Sequence, residues 1–361
     1  MNKRLDRPRL RAVTALGLAI VAALVVAACG GSSDATTKTS GSSGGSGGTQ
    51  GGSGSKATLN LVGYSTPEKA YDVINKAYAA TPGGKGIAFK TSFAASGAQS
   101  RAVAAGQPAD VVAFSTAPDI TRLVQAGLVA SNWADGPTKG IVNDSTVVMI
   151  VRPGNPKHIT GWDDLIKPGV KVVTPNPATS GSARWNIMAA YGSELKEGKS
   201  PSQALAYLAT LLEKNTVTQP DSGSDALQAF VSGQGDVLLD YESDAIAAKR
   251  AGDKIQIVYP KSSILIQTPI AVIKKSSHLA QAQAYVKWLL TPAAQKLWGQ
   301  QGYRPVLPSV AKQFSSTFPN LDLFTIDSLG GWTKVDTDFF TAPNGSVIKI
   351  EEKAGVPTAS S

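Results

Sequence analysis

The sequence predicts an α/β protein whose mostly parallel sheet is covered by helices on both faces. Three observations carry that reading. Between residues 58 and 126, short apolar runs alternate with helical spacings in the order β-α-β-α-β, the rhythm of parallel strands joined by helical crossovers. Strands and helices interleave again between residues 147 and 250. At several strand ends, one to three small hydroxyl or glycine residues lead at once into a helical pattern.

In chain order, residues 58–64 alternate as a strand does and stop at Ser65-Thr66-Pro67. Pro67 suits the first position of a helix, with Ser65 or Thr66 as its cap. Tyr71, Ile74, Ala77 and Tyr78 then recur at helical spacing until Thr81-Pro82-Gly83-Gly84 ends the pattern. Residues 87–93 read as a strand, followed by Ser96-Gly97 and a short helix over 99–105. Residues 110–114 are a third strand before a helix over 118–126. Residues 147–151 form a strand closing on the turn Arg152-Pro153-Gly154-Asn155-Pro156, then come a helical turn at 162–166 and a strand at 170–174. Helices are expected over 183–195, 201–214, 225–231 and 242–250, with strands at 216–219 and 236–240 and Tyr241 at the end of the latter. Strands at 255–259 and 270–273 and helices over 279–290 and 292–300 complete the pattern. Past Arg304 the chain reads as loop, and residues 358–361 should fray.

The most informative segment is Pro175-Asn176-Pro177-Ala178-Thr179-Ser180-Gly181-Ser182-Ala183-Arg184-Trp185-Asn186. A β-branched run enters it and a helix leaves it. Between them, Ser180, Gly181 and Ser182 put the unpaired amides and partial positive charge of a helix N-terminus around one spot. Such a spot suits an anion, although Ser-Gly-Ser is also an ordinary way to start a helix. Three further places share the grammar: Ser65, Ser96-Gly97, and Ser222-Gly223-Ser224. In open α/β sheets, ligands gather at the carboxyl ends of strands, where such helix starts converge. None of the four turns contains a lysine or arginine, so neutral donors alone would hold a fully ionised oxyanion in a dry cleft. Asp221 and Asp225 flank the fourth turn and would serve a protonated oxyanion as acceptors, which leaves phosphate open.

Length and composition bound the rest. The chain has 361 residues, suggesting two domains, and 42% hydrophobic content, enough for a substantial core. Of the formal +9, the first 28 residues hold five cations (Lys3, Arg4, Arg7, Arg9, Arg11) against Asp6, a net +4 that leaves +5 for the remainder. That is mild, and no basic cluster interleaved with aromatics points to nucleic acid; it does suit steering of a small anion. With one cysteine, Cys29, and two histidines, His158 and His278, a disulfide framework and a Cys/His metal cluster are excluded.

The amino terminus reads as an export signal, with an Arg-rich start and an uncharged apolar run over 12–28. Seventeen residues are at the bottom of the range for a membrane span, and no stop-transfer flank follows. The run ends in Val26-Ala27-Ala28-Cys29-Gly30, which resembles a bacterial lipobox. That resemblance implies cleavage before Cys29 and its lipid modification, and more than one acyl chain gives stable anchoring. Residues 30–56 are mostly Gly, Ser and Thr, a flexible tether. The protein is thus expected outside the cytoplasm, held at the outer face of the cell membrane.

From residue 58 to residue 349 the chain resembles the sulfate/thiosulfate-binding proteins of bacterial ABC importers. The resemblance rests on Val62-Gly63-Tyr64, Ala95-Ser96-Gly97-Ala98-Gln99, the turn at Arg152 to Pro156 with Trp162-Asp163-Asp164-Leu165, and above all the run from Thr174 to Asn186. Gly235-Asp236-Val237-Leu238, Tyr303-Arg304-Pro305, Leu323-Phe324-Thr325-Ile326 and Gly330-Gly331-Trp332 extend it. It implies a two-domain periplasmic-binding-protein-like (type II) fold, each domain a mostly parallel sheet flanked by helices. The expected boundaries are 1–28 signal peptide, 29–56 lipid-anchored linker, 57–145 with 266–361 as domain I, and 146–265 as domain II. The crossings near Ser145-Thr146 and residues 264–267 would form the hinge.

The resemblance also implies a dehydrated sulfate or thiosulfate held only by hydrogen bonds, with no cofactor, no metal and no catalysis. Ser96 and Ser180 would donate hydroxyls, while Gly181, Ser182, Ser65 and Ser224 would offer backbone N–H groups. Tyr241 stands where the family more often has a tryptophan, keeping a donor and adding an acceptor. Ser182 replaces a glycine, Ser65 an aspartate that is common there, and Asp225 an arginine. These departures bear on which tetrahedral oxyanion is chosen, molybdate and phosphate being the alternatives. Implied partners are the permease subunits of an ABC importer and the membrane, with the protein itself a monomer.

Other readings have less behind them. Arg184 more often pairs with a carboxylate than steers an anion. Asp163-Asp164 fits helix capping better than a metal pair, and Trp298 and Trp332 fit packing. A secreted hydrolase of sulfate or phosphate esters, the rival class, would need a nucleophile with its base, or metal ligands, and a histidine-poor, cysteine-free body offers little of either. A surface adhesin would expose large apolar patches.

Overall fold

The computed structural model describes residues 57–358. The expected signal, the lipidation site Cys29 and the tether lie outside the described residues. Among the described residues no helix is long and apolar enough to cross a membrane.

The strands are β1 (Ala57–Tyr64), β2 (Ile87–Ala94), β3 (Val111–Ala113), β4 (Ile141–Val151), β5 (Val172–Val173), β6 (Thr216–Thr218), β7 (Val237–Tyr241), β8 (Gln256–Val258), β9 (Ser262–Val272) and β10 (Asp322–Phe324). The helices are α1 (Glu68–Ala79), α2 (Ser96–Ala104), α3 (Ala117–Gln125), α4 (Trp162–Leu165), α5 (Gly181–Lys196), α6 (Pro201–Thr210), α7 (Gly223–Val231), α8 (Glu242–Ala251), α9 (Leu279–Leu289), α10 (Pro292–Gln300), α11 (Pro308–Ala311), α12 (Gly331–Val335) and α13 (Ser346–Ala354). The strand order is β2-β1-β3-β9-β4-β7-β5-β6, with β10 on β9 and β8 on β4.

The path has two similar halves. In one, β2, β1 and β3 are parallel and β9 closes them antiparallel. In the other, β6, β5 and β7 are parallel and β4 closes them antiparallel. β4 and β9 pair with each other from Ile141 opposite Pro269 to Thr146 opposite Leu265. Beyond that stretch each strand serves one half: Val147 to Val151 of β4 run beside β7, and Ile270 to Val272 of β9 beside β3.

Both long strands exceed the sequence expectation, which started them at Val147 and Ile270. Their shared stretch is polar and lacks the alternation that marks a strand. Asn143, Ser145, Thr146 and Thr268 are nevertheless buried, because cross-strand bonds satisfy Asn143, Thr146 and Thr268 and the Ser243 amide of α8 donates to Ser145. Thr146 Oγ1 donates to the Ile264 carbonyl at 2.9 Å, and Thr268 Oγ1 to Asn143 Oδ1 at 2.6 Å. The expectation of loop past Arg304 is also corrected. Val335, Phe339, Phe340, Val347 and Ile348, from short segments in and around α12 and α13, are buried, and all but Ile348 join a core that includes Trp185. Glycines and prolines interrupt these segments too often for helical periodicity to show. Trp332 packs edge-on against Trp185 at 4.7 Å and Trp298 against Tyr71 at 5.0 Å, both as packing residues.

Apolar clusters fill both halves. One gathers α1, α9 and α10 around Leu59, Leu61 and Trp298, another gathers α2 and α3 around Val112 and Phe114. The largest lies under α5, α6 and the carboxyl-terminal segments. This arrangement directs the carboxyl ends of β1, β3 and β7 toward the start of α5.

Candidate anion site

Ser180 occupies the N-cap of α5, yet its hydroxyl makes no capping bond. It pairs instead with Ser182 Oγ at 2.7 Å, so the first-turn amides of Gly181 and Ser182 keep their donors for another partner. This accounts for the side chain of Ser182, which turns back onto Ser180. The fourth turn differs: Ser222 does cap α7, accepting from the Asp225 amide at 3.1 Å and donating to Asp225 Oδ2 at 2.6 Å. That bond occupies Asp225, one of the two acids considered as an acceptor.

Gly181 abuts the turn after β3. A Cβ there would stand 2.7 Å from both Cβ and Oγ of Ser115, so only glycine lets α5 approach. Ser115 is itself held at three points. Its amide donates to Ser96 Oγ at 3.0 Å, its carbonyl accepts from Trp185 Nε1 at 2.8 Å, and its hydroxyl meets the Tyr241 hydroxyl at 2.7 Å. Tyr241 is fully buried, and burial above all keeps its phenol protonated. On the other side of α5, a Cβ on Gly223 would lie 3.0 Å from Ser182 Oγ, 3.2 Å from Thr66 Oγ1 and 3.7 Å from Asp240 Oδ1. Ser65 and Ser224 line one cavity of about 500 Å³ together with Arg101, Thr179, Asp221 and Ser222.

Ser115 links Ser96, Gly181 and Tyr241, and Thr66 and Gly223 stand beside Ser182, while Ser65 and Ser224, each next in sequence to one of these, face the adjoining cavity. Ser96 is there in a different role. Its hydroxyl proton goes to Asp119 Oδ2 at 2.6 Å while its oxygen accepts the Ser115 amide, so it braces the turn beside the cleft and does not donate into it. At the first turn Pro67, not Ser65 or Thr66, is the N-cap of α1, and Thr66 Oγ1 is buried without a hydrogen-bond partner. Ser115-Thr116 follows a strand and precedes a helix, the same grammar as the four turns recognised in the sequence, and was missed as a fifth. Asp240 was read only as part of a buried strand.

The residues given structural roles keep them. Arg184 bonds Asp336 Oδ1 and the Pro177 carbonyl. Asp164 Oδ2 accepts the Thr160 and Gly161 amides at 2.6 and 3.1 Å. Asp163, Glu194 and Glu197 approach one another, but Lys199 Nζ sits among them at 3.2, 2.7 and 3.2 Å, so a lysine already neutralises the group.

Two mixed sheet halves joined through a pair of long strands, with helix starts and hydroxyls gathered at their strand ends, make up a binding-protein fold. A family model described as bacterial extracellular solute-binding protein matches residues 59–304. The chain belongs to that family. It is 38% identical to a sulfate-binding protein of Synechococcus elongatus, over 90% of this chain and 91% of that one. It is 34% identical to a thiosulfate-binding protein of Pseudomonas aeruginosa, over 75% and 85%. The solved structure of the sulfate-binding protein SubI from Mycobacterium tuberculosis H37Rv superposes with a TM-score of 0.77 at 44% identity, covering 79% of this chain and all of that one.

Proposed function

We propose that this protein captures sulfate or thiosulfate in the cleft between its two sheet halves and hands it to the permease subunits of an ABC importer, without catalysis. The carrying observation is the start of α5. An N-cap serine whose hydroxyl does not cap leaves amide donors unpaired, and Ser115, Tyr241, Ser182 and Gly223 from the two halves surround that point. Neutral donors suit an oxyanion that is fully ionised, and the helix dipole favours its charge. In this reading Gly181, Ser182, Ser65 and Ser224 offer amides, Ser180 and the Ser115–Tyr241 pair offer hydroxyls, one proton of that pair bridging the two and the other left for the anion, and Ser96 holds Ser115 in place. Arg101, which lines the cavity with Ser65 and Ser224, adds long-range attraction. The exchange between β4 and β9 supports closure about the crossings near Ser145-Thr146 and residues 264–267, with 57–145 and 266–361 as one domain and 146–265 as the other. Lipidation at Cys29 would keep the monomeric body at the outer membrane face, within reach of the permease.

Titration calorimetry of the purified protein against sulfate, thiosulfate, molybdate and phosphate tests the reading; heat is expected with sulfate or thiosulfate, and silence with all four refutes it. Within the same assay, Tyr241→Phe removes one hydroxyl donor from the cluster. A hydrogen bond to a charged group contributes about 1.5–3 kcal/mol, so sulfate affinity should fall at least about tenfold. Unchanged affinity would remove Tyr241 from the site.

A further inference from the structure

We propose that Asp240 is a specificity-determining residue of this cleft: the buried Asp240–Asp244 pair takes up one proton with the bound dianion, and Asp240 then donates that proton's hydrogen bond toward the ligand. The inference rests on the anion-binding reading above and adds to it a proton as an obligatory companion of the anion.

The geometry begins at the end of β7. Asp240 is fully buried, and its Oδ1 accepts the Tyr241 amide at 2.8 Å. The same oxygen lies 3.7 Å from the point where a Gly223 Cβ would be, a point that Ser182 Oγ and Thr66 Oγ1 also approach, at 3.0 and 3.2 Å. Asp240 is thus beside the starts of both α5 and α7. Among the described residues, its other oxygen, Oδ2, has no partner within hydrogen-bond distance, and neither has Asp244 Oδ2 or Thr66 Oγ1. Asp240 interacts with Asp244, and Asp244 with Thr66, so the two carboxyls form one buried acidic pair beside these helix starts, with polar atoms still unsatisfied, which native proteins rarely tolerate unless a proton, ligand or solvent completes them.

The charges around the pair give it no cation. Tyr64 from β1, Tyr241 from β7 and Tyr303 are the titratable groups facing it, and burial holds all three phenols protonated. Glu68, Lys69 and Asp253 share with Asp244 the cavity on its outer side, where Lys69 is exposed to solvent. Burial first, then the neighbouring Asp244, pushes Asp240 far above the ordinary carboxylate range, and burial raises Asp244 as well. Two carboxylates and a dianion packed together in a dry site cannot all stay ionised. The proton comes from solvent, the new O–H bond forms on Asp240 Oδ2, and no electrons are exchanged. An oxyanion that brings its own proton would meet an ionised Asp240 as acceptor, so this residue makes the choice of ligand depend on who carries the proton.

The sign follows from linkage. Above the free pair's titration the complex holds one proton more than the free protein, so sulfate affinity is level at lower pH and falls beyond that titration by about tenfold per pH unit. Calorimetric titration of the full chain with sulfate at several pH values, each in two buffers of different ionisation enthalpy, reads both the affinity and the proton count. Uptake of about one proton per sulfate on the falling limb is expected. Asp240→Asn keeps a donor that cannot titrate, so its profile should be flat and its affinity at alkaline pH above that of the unmodified chain. If that variant does not fold, the proton count of the unmodified chain decides. A flat profile with no proton uptake in the unmodified chain overturns this inference and leaves the anion-binding reading standing. Absence of sulfate binding at every pH overturns both.

Discussion

Arg304→Met is expected to destabilise the protein by about 3–5 kcal/mol, the range for removing one partner of a buried ion pair. The Glu242 side chain is fully buried at the start of α8, and Arg304 is the cation beside it, with Nε to Oε2 at 2.6 Å and Nη2 to Oε1 at 3.0 Å. The two-pronged geometry gives both carboxylate oxygens a partner. Arg304 also bonds the Pro319 carbonyl, and its backbone exchanges two hydrogen bonds with Asp144 of β4 at 2.9 and 2.8 Å. The side chain therefore ties α8 to the carboxyl-terminal segment, while the Arg304 backbone, which the substitution leaves in place, holds that segment to β4. Methionine retains most of the apolar stem but leaves a carboxylate without its cation.

The effect should depend on pH, with a definite sign. Burial already raises the Glu242 pKa despite the opposing arginine, and removing Arg304 raises it further. A carboxyl whose folded pKa exceeds its unfolded value loses stability as pH rises from the unfolded value through the folded one. The gap between the variant and the unmodified protein should therefore be wider at pH 8 than at pH 5. Chemical denaturation at the two pH values measures it, and pairing Arg304→Met with Glu242→Gln should restore most of the loss. A destabilisation below about 1 kcal/mol, equal at both pH values, would show that the pair behaves like an exposed one.

The sequence could be read for the rhythm of the fold and for four helix starts because both leave local signatures: apolar period, small residues and punctuation. Ser65, Ser180, Gly181, Ser182, Ser224 and Tyr241 were expected at the site in that way or through family likeness; of these, Gly181 and Tyr241 meet at Ser115, and Ser180 bonds Ser182. What escaped depends on contacts distant in sequence. The polar stretch shared by β4 and β9 is strand only because Thr268 finds Asn143 and Thr146 finds Ile264. The segments around α12 and α13 are short and depend on docking against the core around Trp185. The role of Ser96 is decided by Asp119, 23 positions away, and no local pattern announces that its hydroxyl is taken. Ser115 was legible by the same rule as its neighbours. Asp240 was legible as a residue but not as a problem, since its unsatisfied oxygen appears only when Thr66 and Gly223 are brought beside it.

The second large effect concerns Gly181. Gly181→Ala should weaken sulfate binding by at least about a hundredfold. The added Cβ would stand 2.7 Å from Cβ and Oγ of Ser115 and 3.0 Å from Thr116 Cγ2, and Ser115 is held by Ser96, Trp185 and Tyr241, so α5 is the element that must give. Moving its first turn carries the Gly181 and Ser182 amides and the Ser180 hydroxyl off the point they share with Tyr241. Two displaced charge-assisted bonds would cost about 3–6 kcal/mol, which is two to four decades of affinity. The backbone at Gly181 needs no positive φ, so the effect is steric and can be reversed at its source. Ser115→Gly in the Gly181→Ala background removes the two nearest of the three atoms the new methyl would meet, and it should recover part of the affinity although it deletes a hydroxyl. Rescue of that kind would show that glycine is required for the approach of α5 to the β3–α3 turn. An unimpaired Gly181→Ala would instead show that α5 can retreat without loss, and its first turn would then have no part in holding the anion.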